Sequence, residues 1–329
     1  MRHAALRVST GFLAASVACG LLLGTLPAAR AQNAPPPLTG TIAAPRSSGW
    51  VFINPETGAE RFVAVSPPTG VSGHVALTAD GSRVALSRFA REPGERVGGA
   101  DILIVGAAGG QGTVVATHGS DGALLGAPSW TPDGYLILFD SQPPNGGPPT
   151  SRVEYVTTDG AARREVTGGA WPVLSPDWRT LAFVRTSPKT GDLNELVAVP
   201  VEGGAPRVVV PADQFVQIIS PRFSPDGQTI AFVGSDTRGE ARDGEPPEGA
   251  LAMGVMRHGP PGDIWMVPLD GGPSWRRTAF EEDDPTLAWS PDGQWLALLS
   301  GGGLYVVHRD GQFPPRVIGP GGFGGIDWR

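Results

Sequence analysis

Apolar residues in this chain come in short runs of strand length, and run after run meets a small polar corner. In "PRFSPDGQTIAFVGS" (residues 221–235) two β-rich segments flank Ser-Pro-Asp-Gly. The arrangement recurs in "PSWTPDGYLILFDS" (128–141), "PVLSPDWRTLAFVR" (172–185) and "LAWSPDGQWLALLS" (287–300), with a weaker copy in "VALTADGSRVALSR" (75–88). Such runs with Pro, Asp and Gly between them predict antiparallel hairpins. Pro sets φ at the first turn position, Asp accepts hydrogen bonds from nearby N–H groups, and Gly supplies a positive φ. One catalytic loop is not needed five times, so Asp80, Asp133, Asp177, Asp226 and Asp292 read as structural corners. Trp178 stands where other copies have Gly, and its turn is expected to differ.

A second hairpin follows each corner, at 49–65, 101–117, 152–168, 195–211, 262–279 and 302–319. Each unit therefore has four strands, A to D, and repeated four-stranded units of this length predict a β-propeller. Only five complete first hairpins stand beside the six second ones. The missing one is split: "FGGIDWR" (323–329) matches an A strand, and "GTIAAPRS" (40–47) matches a B strand. The expectation is an all-β, six-bladed propeller of four-stranded blades. Its ring is closed by the C-terminal strand A pairing with the N-terminal strand B. Trp130, Leu174, Phe223, Trp289 and Trp328, just ahead of the corners, are expected to pack between blades.

Composition changes this picture only at the N-terminus. The 48 Gly and 34 Pro sit largely at turns between apolar runs. Residues 1–31 have a positive start (Arg2, His3, Arg7), an apolar stretch at 12–26, and Ala29-Arg30-Ala31, the pattern of a cleavable signal peptide cut after Ala31. A periplasmic or secreted protein follows. Residues 32–39 are expected to be a disordered Pro-rich tail, with the propeller spanning 40–329. The only cysteine, Cys19, lies in the signal, so the mature chain has no disulfide, thiol nucleophile or Cys-bound zinc. The formal charge of −7 has no basic run to offset it, which argues against nucleic acid as a partner. No membrane span is expected in the mature chain, and a closed ring with no open edge favours a monomer.

The repeated "SPDG-x-x-(I/L)-A-(F/L)" together with "D-I-W-x-x-x-x-D-G-G" resembles the WD40-like (PD40) repeats of the TolB propeller family, most closely over 221–279. The resemblance covers about 40–329. It implies the propeller fold and leaves function open, since such repeats occur in periplasmic binding proteins and in propeller domains of some peptidases and polysaccharide lyases. TolB proteins carry an α/β domain ahead of the propeller. Here only "QNAPPPL" (32–38) precedes the first strand, so that domain is expected to be missing.

Candidate chemistry is sparse. The A–B corners are short and uniform, whereas the B–C connections at 89–100, 142–151, 186–194 and 236–261 vary widely. Variable loops on a rigid scaffold are common binding elements, which places the working surface on the B–C/D–A face. The longest loop supplies the candidate partner-binding residues Arg238, Arg242, Asp243, Glu245, Met253, Met256, Arg257 and His258. Its Met residues can adapt to a partner, and Arg257 with His258 can meet a carboxylate. The other reading is an insertion packed on its own blade. His74, His118, His258 and His308 lack metal-ligand spacing, and Glu281–Asp284 lacks an EF-hand pattern, so no metal, cofactor or catalytic residue is assigned. No Gly-x-Ser-x-Gly elbow occurs. The function expected is a non-enzymatic scaffold that binds a protein or cell-envelope component. The alternatives are small-molecule sensing and an enzyme acting on a saccharide or lactone from the same face.

Overall fold

A computed structural model describes residues 34–66, 71–90, 98–120, 122–143, 151–187, 191–236 and 261–329. Within them the chain forms strands and turns and no helix. The order begins with β1 (Ile42–Arg46), β2 (Gly49–Ile53) and β3 (Glu60–Ser66). Next come β4 (Val71–Leu77), β5 (Arg83–Ala90), β6 (Gly99–Gly106), the short β7 (Gly110–Gln111) and β8 (Thr113–Ala116). The third group is β9 (Leu124–Trp130), β10 (Leu136–Gln142), β11 (Arg152–Thr157) and β12 (Arg163–Gly168). The fourth is β13 (Ala170–Leu174), β14 (Thr180–Thr186), β15 (Leu193–Pro200) and β16 (Arg207–Val210). The fifth is β17 (Phe215–Phe223), β18 (Thr229–Asp236), β19 (Asp263–Pro268) and β20 (Trp275–Arg276). The last is β21 (Thr286–Trp289), β22 (Trp295–Ser300), β23 (Gly303–His308) and β24 (Arg316–Gly319), followed by β25 (Asp327–Trp328).

β13–β16, β17–β20 and β21–β24 each make a four-stranded antiparallel sheet in chain order. β9–β12 pair likewise, as do β4, β5, β6 and β8. One parallel bridge, Ala100 to Leu124, joins these two sets. In the remaining sheet β25 pairs with β1 through Ile42↔Trp328 and Ala43↔Asp327, and β2 and β3 follow. Strands from the two ends of the chain thus share a sheet. Just ahead of β25 the chain runs tight against β4: at φ +105° the missing Cβ of Gly324 would stand 1.8 Å from the Gly73 carbonyl oxygen.

The alternation that predicts strands also builds the core, because successive side chains point to opposite faces. Apolar clusters form between consecutive sheets. Ala43, Trp50 and Val63 pack on Val84, Leu86 and Leu103. Phe232 and Val267 pack on Val184 and Leu196. One cluster joins the last full sheet to the first, with Trp295, Ala297 and Leu304 against Ile42, Val51 and Ile53. The interblade role expected of the residues before the corners is met in detail. Trp130 Nε1 donates to Ala76 O at 3.0 Å, and Trp289 Nε1 to Arg222 O at 3.1 Å, each reaching the preceding sheet. Trp328 Nε1 donates to Thr39 O at 2.7 Å.

The outer strands expose one large apolar side chain each, including Phe62 on β3, Val208 on β16 and Val317 on β24. Arg61, Arg207 and Arg316 stand beside them, and charged residues of this kind discourage edge-to-edge pairing. Two expectations need correction. The tail assigned to 32–39 ends earlier: Leu38 is buried in the apolar cluster, and its N–H donates to Glu56 Oε2 at 3.1 Å. An apolar side chain next to the first strand can bury there, so it is ordered with it. The corner at Trp178 keeps the common form, with Trp178 N donating to Ser175 O and φ at +65°. The signal-peptide assignment at 1–31 lies outside the described residues. No described helix is long and apolar enough to cross a membrane.

Candidate functional site

The corners take up their own polar groups. In each one the Ser or Thr hydroxyl donates to the Asp: Thr78 to Asp80, Thr131 to Asp133, Ser175 to Asp177, Ser224 to Asp226 and Ser290 to Asp292. The same Asp oxygen accepts the N–H two residues on, and the hydroxyl accepts the N–H five residues on, as in Gln294 N to Asp292 and Trp295 N to Ser290. At Asp80 these bonds hold the carboxylate below its ordinary range, at about 2, through the hydroxyl bond first and the backbone N–H next. Asp177 and Asp226 move the same way for the same reason. The corner aspartates are therefore turn residues. Asp159, in the β11–β12 turn, makes the same set with Thr157 and Ala161 and was not recognised as a corner from sequence.

What remains available converges on the inner face of the first strands. Counting two residues back from each corner gives Ala76, Ser129, Val173, Arg222, Ala288 and, on β25, Asp327. These positions line one cavity of about 450 Å³, together with residues of the corners themselves. Small side chains stand at most of these positions, and Pro132, Pro176, Pro225 and Pro291 stand around the space. Its wall mixes the aromatic side chains Trp130, Phe223, Trp289 and Trp328 with the polar Ser129, Thr131, Ser290, Asp327 and Arg329. A concave space of this size with aromatic walls and a few convergent polar groups is a candidate small-ligand site.

Arg222 is the main charge in it. Its Nη1 donates to Pro221 O at 2.9 Å, and no carboxylate among the described residues is within ion-pairing distance. Burial pulls the guanidinium below its ordinary value, and Asp327 partly restores it. Asp327 is itself well occupied. Its Oδ2 accepts Leu77 N at 2.8 Å and lies 3.4 Å from Arg329 Nε, and its Oδ1 accepts Trp328 N at 2.9 Å.

Two residues further back in sequence stand His74, Ala127, Trp171, Ser220, Thr286 and Gly325. Ala127, Trp171 and Ser220 have positive φ, and the A–B registers slip around them. His74 and Trp171 meet edge to face with centroids 5.3 Å apart. Burial first, and Arg222 second, lower His74 to about 4, so it is neutral at physiological pH. Asp140, on β10, reaches across to this layer. Its Oδ2 accepts Trp171 N at 2.9 Å, and its buried Oδ1 has no hydrogen-bond partner. A Cβ on Gly126 would stand 2.9 Å from that oxygen and 3.6 Å from His74 Nδ1, so only glycine leaves room. Burial raises Asp140 to about 6 against the pull of the Trp171 N–H and the Gln142 side chain, which both donate to Oδ2. Bonds of the same kind connect neighbouring sheets elsewhere: Ser220 Oγ accepts Leu287 N, and Thr286 Oγ1 donates to Gly324 O.

The other polar groups singled out by sequence are structural. His118 Nδ1 pairs with Asp101 Oδ1 at 2.6 Å, and its N–H donates to the same oxygen at 2.9 Å. Asp263 holds the equivalent loop through Thr278 and Phe280, so the His–Asp pair is one version of a repeated clamp. His308 is buried between Trp295 and Phe313. Glu282, in the acidic loop, turns inward to accept Ser300 Oγ at 2.8 Å. Among the described residues no group of three or more His, Cys, Asp or Glu could hold a metal ion. The sequence-predicted site residues Arg238, Arg242, Asp243, Glu245, Met253, Met256, Arg257 and His258 all lie outside the described residues. The cavity that the structure does show lies at the corner end of the first strands, whereas the sequence points to the B–C/D–A face. Small side chains stand at most of the positions two residues before the corners, Ala76, Ser129, Val173 and Ala288, a feature that loop length does not report.

No protein-family model matches the chain. Over 139 residues it is 30% identical to a protein named "Uncharacterized peptidase YuxL" from Bacillus subtilis, a match covering 38% of this chain and 20% of that protein. The chain thus spans about a fifth of the length of this curated relative. Among solved structures it is similar to TolB from Acinetobacter baumannii, with a TM-score of 0.64 and 18% identity, over 89% of this chain and 67% of that one. It is also similar to a structure described as putative TolB from Agrobacterium tumefaciens, with a TM-score of 0.52 and 17% identity, over 84% and 91% of the two chains. For the tricorn protease the TM-score is 0.55 at 16% identity, over 86% of this chain and 26% of that one. At these identities the likeness speaks for the fold, and the fold is a β-propeller of the TolB type.

Proposed function

We propose that the protein is an exported, monomeric, non-enzymatic binding scaffold for a protein or cell-envelope component. We read its fold as six blades in a closed ring. Supporting that reading are the β25–β1 pairing and the apolar cluster between the last full sheet and the first. Export to the periplasm or beyond rests on the signal-like residues 1–31.

One observation carries the binding reading. The repeated acids are taken up by their turns, whereas the cavity is lined by the repeats together, with aromatic and polar side chains facing one space. The long loop between β18 and β19 is the second contact surface in this proposal. β18 and β19 are in register up to Gly234↔Asp263, so residues 237–260 can be replaced by a short turn without disturbing the pairing. The partial match to a protein named a peptidase raises hydrolysis as the second reading. Against it, the buried His118–Asp101 pair serves as a loop clamp.

Affinity capture from native cell envelope tests the proposal, with the mature chain and the loop-shortened chain as baits. A partner retained by the first bait and lost by the second supports it. Turnover of a peptide or saccharide substrate by the purified chain would overturn the non-enzymatic assignment.

A further inference from the structure

Arg222 presents a cation to the cavity with most of its hydrogen-bonding capacity uncommitted among the described residues. Its Nη1 donates to the carbonyl of the preceding residue. The side chain is half-buried, and a guanidinium that no described carboxylate pairs with is available to a bound anion. The guanidinium fork suits a carboxylate, which it can grip with two parallel bonds. The charges nearby set the valence. Arg329 and Asp327 pair with each other, which leaves Arg222 as the lining cation without an ion pair among the described residues. A single carboxylate matches that one guanidinium. The aromatic wall of Trp130, Phe223 and Trp289 favours an apolar body behind the charged head.

We infer that the cavity at the corner end of the first strands is a binding site for a small monocarboxylate with an apolar body, anchored head-first on Arg222. This deepens the scaffold reading, since the site holds its ligand without turning it over. Envelope capture can fail while this site stands, because the site is assayed with small molecules alone.

Octanoate and phenylacetate are titrated calorimetrically into the mature chain, beside octanamide and inorganic phosphate. The carboxylates bind saturably. Octanamide binds at least about tenfold more weakly, as expected for loss of a charge-assisted contact, and phosphate binds more weakly than either carboxylate because it has no apolar body to set against the aromatic wall. Arg222→Gln loses at least about tenfold in carboxylate affinity, and Arg222→Lys retains part of it. Ser129→Phe fills the cavity from another strand and abolishes binding with Arg222 in place. Should Arg222→Gln fail to fold, Ser129→Phe and Arg222→Lys carry the test.

A folded wild-type chain that binds neither carboxylate overturns the inference. So does equal binding by Ser129→Phe or by a folded Arg222→Gln, or a preference for phosphate. A leucine-terminated peptide is added with a free and with an amidated C-terminus. Binding of the free acid alone supports the same site and assigns its carboxylate to a polypeptide end.

Discussion

Replacing Asp140 with asparagine isolates the energetic consequence of burying a carboxyl group in the wall of the first strands. Asp140 is 1% exposed, one of its oxygens has no hydrogen-bond partner, and its pKa rises from 3.8 to about 6. A raised pKa means the native state holds the proton more tightly than the unfolded chain. The associated stability is present below about pH 4 and is lost as pH rises through about 6. A change of this size corresponds to about 3 kcal/mol, with about 1 to 3 kcal/mol a fair range for a buried group. His74 works in the opposite direction. Its pKa falls from 6.5 to about 4, so its contribution is lost as pH drops through that interval. The two nearly oppose each other in the wild type, and a wild-type profile alone hides both. Asparagine mimics the protonated carboxyl and keeps its shape. Urea unfolding of both proteins from pH 4 to pH 8 measures the difference. The Asp140→Asn variant should gain about 1 to 3 kcal/mol relative to wild type between pH 4 and pH 8. A difference that is flat with pH, or that falls, would refute the burial argument.

Two further outcomes concern the corners. Ser224 is fully buried, and its Oγ accepts the Thr229 N–H at 3.0 Å while donating to Asp226. Ser224→Ala leaves that N–H unpaired and should cost about 1 to 3 kcal/mol in urea unfolding, with carboxylate binding unchanged. Asp80, Asp159, Asp177 and Asp226 all have depressed pKa values, led by the hydroxyl bond in each corner. Their contribution is present above their ordinary pKa of 3.8 and is lost as pH falls through the depressed values, about 2 for Asp80. Acid unfolding followed by tryptophan fluorescence should therefore start at higher pH in Asp226→Ala than in wild type, and an unmoved midpoint would contradict that assignment.

The parts of this fold legible in the sequence are those determined locally. Ser, Pro, Asp and Gly act within a five-residue corner, and the bonds found at Ser290, Asp292 and Trp295 are the ones that spacing implies. Even there the pattern is narrower than the physics. Trp178 occupies a left-handed position without Gly, because the Ser175–Asp177 bond holds the turn around it. Asp159 builds the same corner without Pro. The split first hairpin could be read because "FGGIDWR" repeats a local motif, and β25 does pair with β1.

The cavity was not legible in this way. Arg222 follows a proline in an ordinary strand, and nothing near it in sequence marks it as the charge facing Asp327 from a strand more than a hundred residues away. Its signal appears only when the repeats are stacked in register. The position two before the corner then reads Ala76, Ser129, Val173, Arg222, Ala288 and Asp327, and the two charged residues stand out against small neutral ones. In a repeat protein the common residues of such a column describe the scaffold, and the departures from it are where a ligand can be recognised.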